Sequence, residues 1–256
     1  LMLVARSLDG LADVAGRLPS RDGQIANTLS EDLADPKAPG RIMECFRKEF
    51  GAPDILINNA AIQGPIGFSW DNDWFEWQKT IQINLLAPIG LCRLCVPLMG
   101  QSSRGKILNI SGGGATGPRE RFSAYATAKA GLVRFSETLA GETRDAGIDV
   151  HCIAPGAMDT SMLERVLESG PSLAGEQEYE NALKARRRGT DTVARAAALC
   201  AFLASPDCDG ITGKLISAVW DPWETFPSRL EELRKTDIYT LRRIVPKDRG
   251  MNWEEP

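Results

Sequence analysis

The sequence predicts an α/β protein built on a doubly wound parallel sheet with helices on both faces. Three observations carry that expectation. Short apolar runs alternate with longer stretches whose apolar residues recur at helical spacing. Glycines stand where several of those helices should stop, and 256 residues is a length such folds reach as one unbroken domain.

The elements follow in order. Residues 1–5 (Leu-Met-Leu-Val-Ala) read as a strand, and residues 8–18 as a helix with Leu8, Leu11, Val14, Ala15 and Leu18 on one stripe. A strand at 24–29 precedes a helix at 39–50 stopped by Gly51, and the apolar strand 54–58 comes next. Residues 71–99 read as a long helix bent near Pro88. Residues 106–111 form a strand, 122–145 a helix closed by Gly147, and 148–153 another strand. From Gly156 the helical pattern loosens, with Gly170-Pro171 and Gly175 as breaks. Because this stretch, 156–190, follows a strand's carboxyl end, where open α/β sheets bind ligands, it is expected to be a mobile flap over the substrate. A helix at 192–203 and a last strand at 214–219 complete a domain over residues 1–220. The remaining residues, 221–256, mix Trp223, Phe226, Tyr239 and Trp253 with charge, and are expected to cover the domain, the active site or a subunit contact.

Composition excludes several classes of function. A formal charge of −4 without a long basic run argues against nucleic acid, and Arg186-Arg187-Arg188 reads as a solvated helix face. No uninterrupted apolar stretch of about 18 residues and no charged leader with an apolar core is present, so no membrane span is expected and the chain reads as cytoplasmic. Cys92 and Cys95 sit in an apolar helical run with no second pair to complete a metal site, which assigns them to core packing. His151, the single histidine, lies in an apolar strand without the companions of a triad or metal site, and no metal is expected.

The informative stretch is Tyr125-Ala-Thr-Ala-Lys129. Four residues along a helix put both side chains on one face. An ammonium beside a phenol favours the ionised phenol, the equipment of a general acid/base acting on an alcohol or carbonyl. By itself the spacing also arises by chance on a helix surface. Around it stand Asp54-Ile-Leu-Ile-Asn58-Asn59-Ala60-Ala61, then Asn84, then Lys106-Ile-Leu-Asn-Ile-Ser111 running into three glycines, then Val150-His-Cys-Ile-Ala-Pro155-Gly156 with Thr160 beyond. In that order these segments resemble the short-chain dehydrogenase/reductase family over about residues 1–220, whose fold is Rossmann-like.

The resemblance implies an NAD(P)-dependent oxidoreductase interconverting an alcohol and a ketone or aldehyde by hydride transfer. Tyr125 would be the general acid/base, Lys129 would lower its pKa and bind the nicotinamide ribose, Asn84 would hold a proton-relaying water, and Ser111 would orient the substrate oxygen. The family's serine precedes its tyrosine by 13 residues, which here is Gly112, while Ser111 is 14 before; the expectation is that Gly112-Gly113-Gly114 absorbs the extra residue. Asp32 and Leu33 would contact the adenine, Asn59 and Ala60 the adenosine ribose, and Pro155, Gly156, Met158 and Thr160 the nicotinamide. Arg6, where an acidic residue would favour NAD, favours NADP, with NAD as the alternative. Asn58 is read as a structural tie between strands.

The family's opening strand and Gly-x-x-x-Gly-x-Gly turn have no counterpart here, so the fold is expected to lack its first strand and helix, as a truncated record of a longer protein would. A small-molecule carbonyl or alcohol substrate and a homodimer or homotetramer are the further expectations. The competing function is a non-catalytic nucleotide-sensing or scaffolding protein on the same fold. A nucleotide-sugar epimerase or dehydratase is disfavoured by the short chain left after the last strand.

Overall fold

In the computed structural model, residues 1–19, 23–100, 104–188 and 191–253 are described; residues 189–190 of the expected flap and 254–256 of the tail lie outside them. Strand β1 (Met2–Ala5) and helix α1 (Leu8–Arg17) lead to β2 (Asn27–Ser30), α2 (Ala38–Phe50) and β3 (Ile55–Asn58). Next come α3 (Trp74–Ile81), a π-helical turn (Gln82–Leu86) and α4 (Ala87–Met99), which together make one long helix, and then β4 (Gly105–Ile110). The order continues with α5 (Ser123–Glu142), β5 (Ile148–Ala154), α6 (Ser161–Ala174), α7 (Glu176–Arg188), α8 (Asp191–Ala204), β6 (Lys214–Ser217) and the short α9 (Leu230–Lys235).

Every strand pairing is parallel, in a Rossmann-like α/β fold, but the strands form two sheets. β1 pairs with β2, and β3, β4, β5 and β6 pair in that order. The break falls between β1 and β3, where the fold class puts its first strand. Its consequence is visible in β3, which is left as the edge strand of the four-stranded sheet with Ile55 and Ile57 each 46% exposed. Packing rather than backbone pairing joins the two sheets: Val4 of β1 and Leu29 of β2 lie against Ile42, Met43, Leu91 and Cys95.

The strands at the centre read as continuous apolar runs because both faces are covered. β4 is buried at all six positions. One face meets α8 and the tail through Leu108, Ile153, Leu199, Ile216, Trp223 and Phe226; the other meets α2, α4 and α5 through Ile107, Val150, Met99 and Leu139. Asn58 ties strands together as expected, its Nδ2 donating to Asn109 Oδ1 at 2.7 Å, while Asn109 Nδ2 donates to Ser136 Oγ of α5 at 2.8 Å.

Two expectations change. The stretch after β5 is helical, in α6 and α7, with Gly170 (φ 71) taking the turn ahead of Pro171 where the sequence showed only breaks. These helices pack on Phe122 through Val166, Ala174 and Ala182. The helix at 74–99 is the second: among the described residues it is long and apolar enough to cross a membrane by length and composition. Part of that apolar surface is packed inside, Ile83, Leu91, Cys92, Cys95 and Met99 being buried, while Trp74, Phe75, Leu86 and Leu94 are exposed. The tail lies along β6 and α5. Leu215 N donates to Tyr239 O at 2.8 Å, and buried Lys214 donates to the carbonyls of Thr236 and Ile238.

Candidate active site

The site is assembled where β4 ends and α5 begins. Tyr125 is in the first turn of α5 and Lys129 one turn on, and both are buried on its inner face. Lys129 Nζ donates to the carbonyl of Ile110, the last residue of β4, at 2.7 Å, which locks the helix to the carboxyl end of the sheet. The ammonium lies over the Tyr125 ring, 5.7 Å from its centre, and makes no hydrogen bond to the hydroxyl. Burial pulls Lys129 down to about 8 and pushes the Tyr125 phenol above its usual range. The cation that works against that rise is Arg119, so the charge expected from Lys129 comes instead from the loop ahead of the helix.

That loop explains the three glycines. A Cβ on Gly114, at φ 89, would lie 2.6 Å from Ala126 Cβ, and one on Gly112 would lie 2.3 Å from the Tyr125 hydroxyl. The backbone therefore rides directly on α5, an approach open only to residues without a side chain. The same geometry places the two candidate positions for the serine. Ladder pairing runs on past β4, Ser111 N donating to Ile153 O at 2.7 Å, so no residue is absorbed and Gly112 faces the phenol. Ser111 is buried and its Oγ reaches no hydrogen-bond partner, Tyr125 included.

Asn84 sits in the π turn, its side chain donating to Ile62 O at 2.8 Å and accepting from Ile62 N at 2.9 Å. These two bonds fix the side chain, and the backbone carbonyl is a further group that Asn84 can offer. Pro88, four residues on, has no N–H to give that carbonyl.

Around this core the positions expected to hold a dinucleotide fall at the carboxyl ends of successive parallel strands. Arg6 follows β1, exposed and with no side-chain partner among the described residues; Asp32 and Leu33 follow β2, Asn59 and Ala60 follow β3, and Pro155 to Thr160 follow β5. Asp32 Oδ1 accepts from Ala34 N at 2.9 Å, and Gln82 Nε2 reaches Leu33 O at 3.4 Å. Gly156 holds φ 88 against Val219 and Thr192. This set fits a dinucleotide, with the Arg6 cation and the Asp32 carboxylate at the adenosine end and the Gly156 turn at the nicotinamide end; no described residues form a glycine-rich cradle for the pyrophosphate. Among the described residues no group of His, Cys, Asp and Glu is placed to hold a metal ion.

Arg119 was not singled out from sequence. Its Nε and Nη2 reach Glu178 Oε2 of α7 at 2.8 and 2.7 Å, and its guanidinium carbon lies 3.9 Å from the Phe122 ring centre and 5.7 Å from that of Tyr125. Only proximity to the glycine loop, within Pro118-Arg119-Glu120-Arg121, marks it in the sequence.

A parallel α/β sheet with a buried tyrosine-lysine pair at its carboxyl end defines the Rossmann-like class of protein. The short chain dehydrogenase family model matches residues 1–170, and the chain belongs to that family. The 3-oxoacyl-[acyl-carrier-protein] reductase FabG of Escherichia coli (strain K12) is 34% identical over 204 residues, covering 76% of each chain. Dehydrogenase/reductase SDR family member 4 of Homo sapiens is 32% identical over 176 residues, 69% of this chain; the chain spans 62% of that relative's length. Among solved structures, YwfH, an NADPH dependent reductase involved in bacilysin biosynthesis, superposes with a TM-score of 0.74 at 25% identity, covering 85% of this chain and 86% of that one. L-Sorbose reductase from Gluconobacter frateurii, complexed with NADPH and L-sorbose, gives 0.71 at 26% identity over 84% of both chains.

Proposed function

We propose that this member of the family is an NADP-dependent oxidoreductase interconverting a small-molecule ketone or aldehyde and its alcohol, with Tyr125 as general acid/base. The observation that carries the proposal is the buried Tyr125–Lys129 pair clamped by Ile110 O beside the Gly112–Gly114 loop. Support for the cofactor comes from Arg6 beyond β1, from the carboxyl-end loops, and from relatives described as NADPH dependent or complexed with NADPH.

When bound, a nicotinamide dinucleotide supplies or accepts the hydride at the substrate carbon. Tyr125 gives its proton to the substrate oxygen in reduction and takes one in oxidation. Lys129, held by Ile110 O, keeps α5 in register with the strand end and offers its remaining protons to the nicotinamide ribose. The Asn84 carbonyl holds the water through which the proton is replaced. Pro155, Gly156, Met158 and Thr160 would hold the nicotinamide, and Arg6, Asp32, Leu33, Asn59 and Ala60 the adenosine half.

The test is NADPH absorbance against a panel of ketones with the full-length protein, with Tyr125→Phe beside it. Loss of turnover by about 100-fold or more is expected for the variant, in the range of general acid/base catalysis; equal turnover sinks the mechanism. A second reading, a nucleotide sensor without catalysis, draws on the buried, raised phenol and the glycine at the serine's position. Tight NADPH binding with no ketone reduced would favour it. A homodimer or homotetramer through the 71–99 and 122–145 helices is supported by exposed Phe75, Leu86 and Leu94, and light scattering decides it.

A further inference from the structure

Arg119 lies beside the glycine loop that faces Tyr125. Its guanidinium covers the glycine loop, so that a Cβ on Gly113 would sit 3.7 Å from both Nε and Nη1. Gly112 faces the Tyr125 hydroxyl, and Ser111 Oγ, next to it in the chain, is buried without a partner. Glu178 takes Nε and Nη2 of the guanidinium, leaving the Nη1 protons without an acceptor among the described residues. The flat face of Arg119 rests on Phe122, which is fully buried, so the group is oriented from two sides and only 18% exposed. A planar guanidinium with one free edge, held by a carboxylate and an aromatic ring, is preorganised to receive an oxygen.

We propose that Arg119 Nη1 donates the second hydrogen bond to the substrate oxygen beside Tyr125, doing the work of the absent serine hydroxyl, with Glu178 of α7 as the residue that positions it. This rests on the oxidoreductase reading. Arg119 stays protonated throughout; the proton that moves is the phenol's, and the guanidinium stabilises the oxyanion or phenolate on either side of that transfer. The charged groups facing Tyr125 are Lys129 from its own helix, Arg119 from the loop, and Glu178 from α7 behind Arg119.

The experiment compares the full-length wild type with Arg119→Met and Arg119→Lys. The Tyr125 phenolate is titrated by ultraviolet difference against Tyr125→Phe, and kcat and KM are measured for a ketone the wild type reduces. Expected are a Tyr125 titration moved to higher pH in Arg119→Met, a kcat lower by 100-fold or more with KM changed less, and partial recovery of both in Arg119→Lys. A Tyr125 titration and kcat unchanged in Arg119→Met overturn the proposal alone. A wild type that reduces no ketone overturns the oxidoreductase reading and the proposal with it.

Discussion

Tyr125 and Lys129 meet the same low-dielectric surroundings with opposite results, because burial disfavours whichever form carries charge. The phenol goes up and the ammonium comes down, to about 8. His151 shows the same physics away from the site: wholly buried in β5 and near the charge of Lys106, it is driven down to about 3. In the unfolded chain a histidine takes its proton near 6.5, so the stability tied to neutral His151 is complete above pH 6.5 and is lost as pH falls toward the folded value. Between pH 6.5 and 4.5 the loss is expected to be about 2–3 kcal/mol at 1.36 kcal/mol per pH unit. Urea unfolding across that range checks it, and His151→Asn should flatten the slope whatever its stability at neutral pH. On the proposed NADP reading, the Arg6 guanidinium, without a side-chain partner among the described residues, would meet the 2′-phosphate in a charged hydrogen bond worth about 1.5–3 kcal/mol. Arg6→Ala should therefore weaken NADPH about 10- to 100-fold while leaving NADH affinity nearly unchanged, a difference read by isothermal titration.

At the scale of elements, β3, β4 and α5 are joined by a chain of buried amides and a hydroxyl. Asn109 sits at its middle, accepting from Asn58 and donating to Ser136, whose hydroxyl passes on to Leu132 O at 2.7 Å. Asn109→Leu leaves Asn58 Nδ2 only the weak acceptor Cys92 Sγ and Ser136 Oγ only the weak thiol donor of Cys152, so a loss of roughly 1–3 kcal/mol is expected in denaturant unfolding. The loop between β4 and α5 is equally intolerant. At Gly114 the positive φ and the 2.6 Å approach to Ala126 Cβ come from backbone and first-carbon atoms that cannot swing away. Gly114→Ala should lower Tm and, by lifting the loop that carries Gly112 and Arg119 off the helix, lower kcat with it. Melting curves and steady-state kinetics on one preparation measure both.

The whole molecule solves an edge problem at β6 with its own tail. The outer side of that strand is met by Tyr239 O, and buried Lys214 hands its protons to two tail carbonyls. Leu241 N reaches Glu137 at 2.6 Å, and Arg134 answers to Leu241 O, so the strap is anchored on α5 as well. A chain ended after Lys235 would leave Lys214 buried without acceptors and an open parallel edge. Its expected behaviour is a lower Tm and concentration-dependent association by light scattering; an unchanged monomer-to-oligomer balance and Tm would show the strap to be dispensable.

Much of this was legible in the sequence because it is local. Apolar period marks β4 and α5, a four-residue interval puts Tyr125 and Lys129 on one helical face, and the order of the motifs carries the family. The boundaries at Gly51 and Gly147 follow from glycine's freedom at helix ends. What only the tertiary structure decided depends on groups brought together from distant segments. Sequence spacing left open which of Ser111 and Gly112 faces the phenol, and in the folded chain Gly112 does. No interval connects Arg119 to Glu178, 59 residues away, or to the face of Tyr125. The two helices after β5 escaped notice because glycine and proline interrupt their pattern, while burial against Phe122 supplies the stability that local propensity lacks. Proton affinities in the site belong to the same category: a residue's type sets its starting value, and the depth and neighbours that shift it exist only once the chain is folded.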